Sequence, residues 1–316
     1  MRPLRSLPGV WHAARAGRAI AGAVRRRSPR GLVLLYHRIA GPRRDPQLLD
    51  VAARNFDDHL AVLARTTTPL PLDEFESLRR AGGLPERAVA VTFDDGYADN
   101  LHVAAPALVR HDIPAMVFVT AGMIGSEREF WWDDVERIVF DATLPADDPA
   151  ARQRDYGALV AALHPLATAV REARLAGLRA SAFVPETGRQ SHRALSLDEL
   201  RALAAQPGIS VGAHTMTHPS LARLAVVEQS REMAGSARWL EQAIGAPVRS
   251  LAYPFGTPND VSADTVRAAS AVFAYAMATD AGAAWRWSRR WRLPRATVRD
   301  WDAASFARRL DEWFAA

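Results

Sequence analysis

Four short stretches hold the residues best suited to hydrolytic chemistry. In 92-TFDDG-96 an apolar run stops at two adjacent carboxylates, Asp94 and Asp95, followed at once by glycine. In 212-GAHTMTHPS-220, His214 and His218 stand four residues apart, and 35-LYHRI-39 and 252-AYPFG-256 add His37 and a Pro-Phe-Gly corner. The chain has no cysteine, so any metal must be held by His, Asp or Glu. Taken singly these signals are weak, because Asp-Asp-Gly is an ordinary turn and two histidines are often unrelated surface groups. Taken together they make a coherent set. Two imidazoles and one carboxylate give a metal three protein ligands and leave positions for water and substrate. A bound metal lowers the pKa of its water from ~15.7 to about 7, within reach of a second carboxylate acting as base. Neighbouring residues at a strand end point in different directions, so the two aspartates can divide these tasks.

Such groups need a scaffold that gathers strand ends. Short apolar runs at 32–37, 88–93, 115–120, 208–214, 249–254 and 272–278 predict strands buried on both faces, as in a parallel sheet. Helical patterns at 55–66, 73–82, 99–112, 198–206, 226–245 and 261–270 alternate with them. The alternation predicts an α/β protein, barrel-like or doubly wound, with functional groups at the C-terminal ends of its strands. His214 then sits at a strand end, with His218 near an N-cap and Pro219 at the first helical position. Residues 127–195 break the rhythm and predict a helical insertion that opens with Trp131 and Trp132, and 303–316 predict an amphipathic terminal helix with Phe306, Leu310 and Phe314 on one face.

In this order, TFDDG, H-T-x-x-H and Y-P-F-G resemble the motif set of the polysaccharide deacetylase domain (NodB homology, carbohydrate esterase family 4), over roughly residues 31–298. The resemblance implies a distorted (β/α) barrel, here with a basic arm at 1–30, a barrel at 31–300 carrying the insertion at about 127–195, and a C-terminal helix at 301–316. It implies metal-dependent removal of N-acetyl groups from amino sugars of a glycan or glycolipid. Asp94 would be the general base, Asp95, His214 and His218 the ligands of a divalent metal, and the Phe255 amide, after Pro254, an oxyanion donor. Zinc leads for that metal, with Co, Ni, Fe and Mn also compatible. Two departures stand out. Ala252 occupies the place of an arginine that orients the base, and no histidine follows His218 to act as acid. Members that open on a "YH" strand resemble a circularly permuted arrangement in which an early histidine takes that role, which His37 fits; Arg295 in 293-LPRATV-298 would then supply the missing positive charge. Tyr253, Pro254, Trp131, Trp132 and Arg295 are the expected substrate-side residues, although packing is the commoner use of paired tryptophans.

Composition narrows the rest. Every one of the 40 basic residues is arginine, and the first 30 residues hold eight of them and no acid. The remaining 32 arginines face 35 carboxylates, a balance of −3, so the basicity belongs to the arm and nucleic-acid binding is not expected. The arm lacks the ~7–15-residue apolar core of a secretory signal. The expectation is a cytoplasmic protein, with peripheral contact to the inner membrane through this arm as one reading and a solvated arm as the other. The run 285-WRWSRRWR-292 reads either as a face for anionic glycan or headgroups or as a solvated arginine face. Two rivals remain: a deformylase or cyclic-amide hydrolase using the same site, and a non-catalytic glycan-binding module.

Overall fold

The computed structural model describes residues 29–41, 44–141 and 148–316, so residues 1–28 of the basic arm, and the readings placed on it, lie outside the described residues. The elements run β1 (Arg30–Tyr36), α1 (Ala53–Thr66), β2 (Thr68–Pro69), α2 (Leu72–Ala81), β3 (Ala88–Phe93), α3 (Ala105–Arg110) and β4 (Ala115–Val119). There follow α4 (Trp131–Phe140), α5 (Pro149–Leu163), α6 (Thr168–Ala182), α7 (Leu197–Ala204), β5 (Ile209–Ala213), α8 (Val226–Ile244) and β6 (Ser250–Ala252). The chain ends with α9 (Ala263–Ser270), β7 (Tyr275–Met277), β8 (Ala284–Trp285), β9 (Ala296–Thr297) and α10 (Ala303–Ala315).

Strands β7, β6, β5, β4, β3 and β1 pair in that order, all parallel. The sheet curls until its outer strands face one another, and residues 290–298 bridge the gap. On one side Leu293 N–H donates to Ala276 O and Ala278 N–H to Leu293 O, each at 2.9 Å; on the other, β9 pairs with the end of β1 and Val298 N–H donates to Leu35 O at 2.9 Å. The result is the distorted (β/α) barrel expected from the sequence. Period-two alternation sorts the side chains of this bridge. Leu293 joins Val33, Ala90, Met116, Phe118, Ala252 and Met277 in the core on one face of the sheet, while Ala296 and Val298 join Leu34, Val91 and Val117 on the face packed by helices.

The long apolar strands were readable because both faces are buried. β2, β8 and β9, two residues each, are too short to leave a periodic signature. Helix 99–112 begins instead as a π-turn over Asn100–Ala104, and Pro106 removes one N–H from the usual ladder at this point. α4, α5 and α6 make the insertion, with a separate core around Trp131, Trp132, Tyr156 and Leu175. β8 pairs antiparallel with Arg30 and Gly31 at the start of β1, so Trp285 stands at the opposite end of the barrel from His37, while Arg292 pairs with Asp280 beyond the end of β7. Among the described residues no helix is long and apolar enough to cross a membrane.

The terminal helix α10 packs on α1 and β1 through buried Phe306 and Leu310, with Phe314 half-buried. His59 secures this corner: its ring stacks on Phe306 at 4.1 Å, Nε2 donates to Trp301 O at 2.7 Å, and Nδ1 accepts from Tyr36 Oη at 3.3 Å. Burial pushes the His59 pKa down to about 4. Because that is below its unfolded value of about 6.5, the unfolded chain takes the proton first. Stability from this site is complete above pH 6.5 and declines as pH falls toward 4. Urea unfolding of H59F is expected to lose this part of the pH slope, and an unchanged slope would place the titration elsewhere.

Candidate metal and catalytic site

The site grows from the end of β3. Asp94 N–H donates to Tyr36 O at 3.0 Å, which carries the sheet pairing one residue past the strand. Asp95 then takes a left-handed conformation, φ +75°, and Gly96 follows at φ +84°. At Gly96 a Cβ would meet Val119 Cγ1 at 3.1 Å, so glycine answers both the dihedral and the close approach. This reversal turns the two buried carboxylates to different partners. Asp94 Oδ1 and Oδ2 each accept from one terminal nitrogen of Arg295, both at 2.7 Å, in a bidentate pair with the guanidinium fully buried. Asp95 Oδ1 instead lies 3.4 Å from His214 Nε2 and 3.4 Å from His218 Nε2 and is buried with no hydrogen-bond partner.

The histidines come from β5 and the loop beyond it. His214 follows the strand, and its Nδ1 donates to Ala252 O at 2.8 Å, which turns Nε2 toward Asp95. The next loop is held by Glu232 of α8, whose Oε2 accepts from the amides of Met216 and Thr217 at 2.9 and 2.8 Å. His218 is therefore not at a helix N-cap. It sits in an irregular turn with φ +54°, and Leu221–Arg223 forms only a 3₁₀ turn before α8 begins. Asp95, Thr215, His218 and Phe255 are all non-glycine residues at positive φ, and all belong to this site. Each such residue costs of order 1 kcal/mol or more, strain that packing elsewhere must outweigh.

Burial and charge set the ionisation. Burial favours neutral Asp94, but Arg295, with His214 behind it, outweighs burial and holds the carboxyl below its usual range. Asp95 is also held below its usual range: burial again opposes its charge, and the two histidines overcome it. The carboxylates in turn raise the His214 pKa against burial, whereas burial pulls His218 down to about 4 despite Asp95. Burial also lowers His37, only partly offset by Asp95 and Asp94. The donor atoms of Asp95, His214 and His218 lie within 4.8 Å of one another, all buried. A buried carboxylate oxygen without a donor, facing two imidazole nitrogens, suits a divalent cation.

A cavity of about 370 Å³ opens over these groups, within the ~300–1,000 Å³ usual for small-ligand sites. Its wall includes His37, Asp94, Asp95, Trp132, His214, His218 and Phe255. Asn100 fixes the His37 backbone by donating to its carbonyl at 2.8 Å. Among the described residues no backbone carbonyl accepts from the Phe255 amide. Four expected substrate-side residues are absent from this wall. Tyr253 is fully buried, and its hydroxyl donates to Trp291 O at 2.9 Å. Pro254 is buried at the corner before Phe255, and Trp131 is packed inside the insertion with Arg171 over its ring. Arg295 lies behind Asp94, above the Phe118 ring, and touches that carboxylate, not the cavity. Trp132 does reach the wall, its ring 4.7 Å from His218 and its Nε1 donating to Tyr97 Oη at 2.9 Å. Sequence reasoning missed Gln47, Leu49, Thr257, Thr279, Thr297 and Arg299. Only the last two had a signal, the alternation R-x-T-x-R from 295 to 299.

Comparison with known proteins gives this geometry relatives. The family model described as polysaccharide deacetylase matches residues 81–142 and 173–274, just over half of the chain. The match takes in Asp94, Asp95, His214, His218 and Phe255 and leaves out His37 and Arg295. A Bacillus subtilis (strain 168) protein described as "Putative polysaccharide deacetylase YxkH" is 23% identical over 257 residues, spanning 80% of this chain and 66% of that protein. The deacetylase PplD of Streptococcus pyogenes, solved with acetate, superposes with a TM-score of 0.61 at 18% identity, covering 89% of this chain and 98% of its own. IcaB from Ammonifex degensii superposes at 0.60 and 19% identity, covering 91% and 97%. At these identities the two structures speak to the fold.

The Arg295–Asp94 pair is testable by stability. Arg295→Met leaves a buried carboxylate without its cation and is expected to cost about 3–5 kcal/mol in urea unfolding. R295M/D94L, which removes both charges, is expected to recover most of that loss. A loss below about 1 kcal/mol for R295M would show that the pair does not anchor the closing segment.

Proposed function

The chain belongs to the polysaccharide deacetylase family, and on that premise we propose that it hydrolyses the N-acyl, chiefly N-acetyl, group of amino sugars in a glycan or glycolipid. One observation carries the reading. Two adjacent buried carboxylates have unlike partners, Asp94 a permanent guanidinium and Asp95 two imidazole nitrogens around an orphaned oxygen. Asp95, His214 and His218 would hold a divalent cation, zinc first among those the donors suit. When bound, such an ion supplies Lewis acidity that polarises the acyl carbonyl and makes water acidic.

The remaining work falls to the chain's own groups. Asp94 is ionised and fixed by Arg295, so one of its oxygens accepts the proton of the attacking water. The Phe255 amide, free of a backbone acceptor, donates to the oxyanion that develops on the acyl oxygen. His37 is neutral at rest because burial lowers its pKa; it would take a proton from solvent and give it to the departing amine, while Asp94 returns the water's proton to solvent, so the protons balance. Leu35, Leu49, Trp132 and Phe255 offer apolar faces to the acyl methyl and sugar ring, and Thr257, Thr279 and Thr297 offer hydroxyls to its polar edge. His37 in this role is the early histidine of the permuted arrangement, and Arg295 takes over the charge that Ala252 cannot provide.

Acetate release from N-acetylated oligosaccharides, measured beside metal content, tests the division of labour. Asp94→Asn is expected to lower turnover at least ~10²-fold while the protein keeps its bound metal. Asp95→Asn and His218→Ala are expected to lose the metal itself. Wild-type rates in D94N would overturn the assignment of the base, and full metal content in both D95N and H218A would overturn the ligand set.

A further inference from the structure

The strand that closes the barrel carries a second arginine. Leu293, Arg295, Thr297 and Arg299 alternate along it; Leu293 joins the interior core, Arg295 meets Asp94, and Thr297 and Arg299 line the cavity. Four residues of extended chain put Arg299 about 13 Å beyond Arg295, toward the mouth. It is the one arginine among the residues lining the cavity. One terminal nitrogen of Arg299 donates to Leu48 O, and among the described residues no carboxylate lies within 4.0 Å of its guanidinium. The acid nearest in effect, Asp45, already accepts from the amides of Leu49 and Asp50 at 2.9 Å each. Burial lowers the Arg299 pKa and Asp45 offsets this only in part. Arg38, Arg79, Arg179 and Arg189, by contrast, each face a carboxylate. On the same wall, Gln47 Nε2 is buried beside the Tyr156 hydroxyl without a hydrogen bond of good geometry.

We propose that Arg299 and Gln47 form an anion-recognising subsite, so that the substrate is a charged glycan bearing a carboxylate or phosphate ester near its N-acyl group. This deepens the deacetylase reading and rests on it. A half-desolvated guanidinium has lost hydration, and an anionic substituent would restore it through charge-assisted hydrogen bonds in the guanidinium plane, with the Gln47 amide as a further donor. Arg295 cannot serve here, because both of its terminal nitrogens are committed to Asp94. Thr257 and Thr279, on the same wall, offer no charge, so the anion would lie on the Arg299 side.

Calorimetric titration of the zinc-loaded protein with N-acetylglucosamine, N-acetylglucosamine 6-phosphate and N-acetylmuramic acid separates neutral, phosphate and carboxylate ligands. At low salt the protein is expected to bind at least one charged sugar about tenfold tighter than the neutral one, and 0.5 M NaCl should compress that ratio. Arg299→Gln should bring the ratio to within about twofold, and Arg299→Lys should keep part of it. The favoured arm identifies the substituent. A ratio near one in the wild type, or a preference untouched by both salt and R299Q, would overturn the subsite. Acetate release from the neutral sugar is scored separately, so failure of the deacetylase reading would be visible as no turnover on any sugar while the binding ratio still decides Arg299.

Discussion

A carboxylate buried at the end of a central strand is the constraint from which the rest of the architecture follows. Asp94 is 3% exposed, and an ionised carboxylate there would cost several kcal/mol without a matched cation. No residue near it in sequence supplies one. The cation arrives from 201 positions later, on the segment that joins β7 to β1. Closing the barrel and neutralising Asp94 are therefore one event, because Arg295 reaches the carboxylate only when Leu293 enters the interior core and Val298 bonds to β1. The bidentate geometry also limits Asp94 to one orientation, which a single hydrogen bond would not do.

The neighbouring carboxylate has the opposite fate for a local reason. The positive φ at Asp95 swings its side chain away from Arg295 and toward the β5 loop, and Gly96 lets the chain leave without colliding with β4. Two groups that look equivalent in sequence are thus separated by backbone handedness. One is neutralised by a guanidinium that cannot leave; the other faces two imidazoles that can share a metal or do without it. The second arrangement carries strained positive φ at Thr215, His218 and Phe255, and Glu232 holds the loop that bears His218 in place.

How much of this was legible depended on whether information was local. Strands buried on both faces announce themselves as unbroken apolar runs, and Asp94, Asp95, His37 and His214 could be placed at strand ends because only polar groups interrupt those runs. His218 was misplaced at a helix start because Pro219 imitates a helix N-terminus, while the deciding contact, Glu232, lies a helix away. Tyr253 and Trp131 were expected at the substrate and are packed inside, since an aromatic beside a motif carries no mark of which way it points. The run 285–292 reads in sequence as either a face for anionic ligands or a solvated arginine face, and its place shows only in the fold, with Trp285 at the start of β1 and Arg292 on Asp280. Gln47, Thr257 and Thr279 come from separate loops and meet only through the fold, so no spacing in the sequence joins them.

A second cluster shows why residue type alone does not make a metal site. Asp133, Glu136 and His192 also bring their donor atoms within 4.8 Å of one another and are also buried. Their lone pairs, however, are already committed. Tyr97 Oη donates to Asp133 at 2.7 Å, and Arg189 donates to both oxygens of Glu136, at 3.1 and 3.2 Å. Burial and the cations Arg38, Arg189, Arg137 and Arg44 push the His192 pKa down to about 2, and those same fields would repel a divalent ion. The network binds the insertion to the barrel: Tyr97 donates to Asp133, Arg38, just past β1, donates to Ser191 O at 2.6 Å, and Arg189 gathers Glu129 and Glu136 within the insertion. At Asp95 the permanent cation belongs to its neighbour, and Oδ1 is left without a donor. The same residue types thus build a crosslink where arginine completes them and leave an open donor set where arginine is held one residue away.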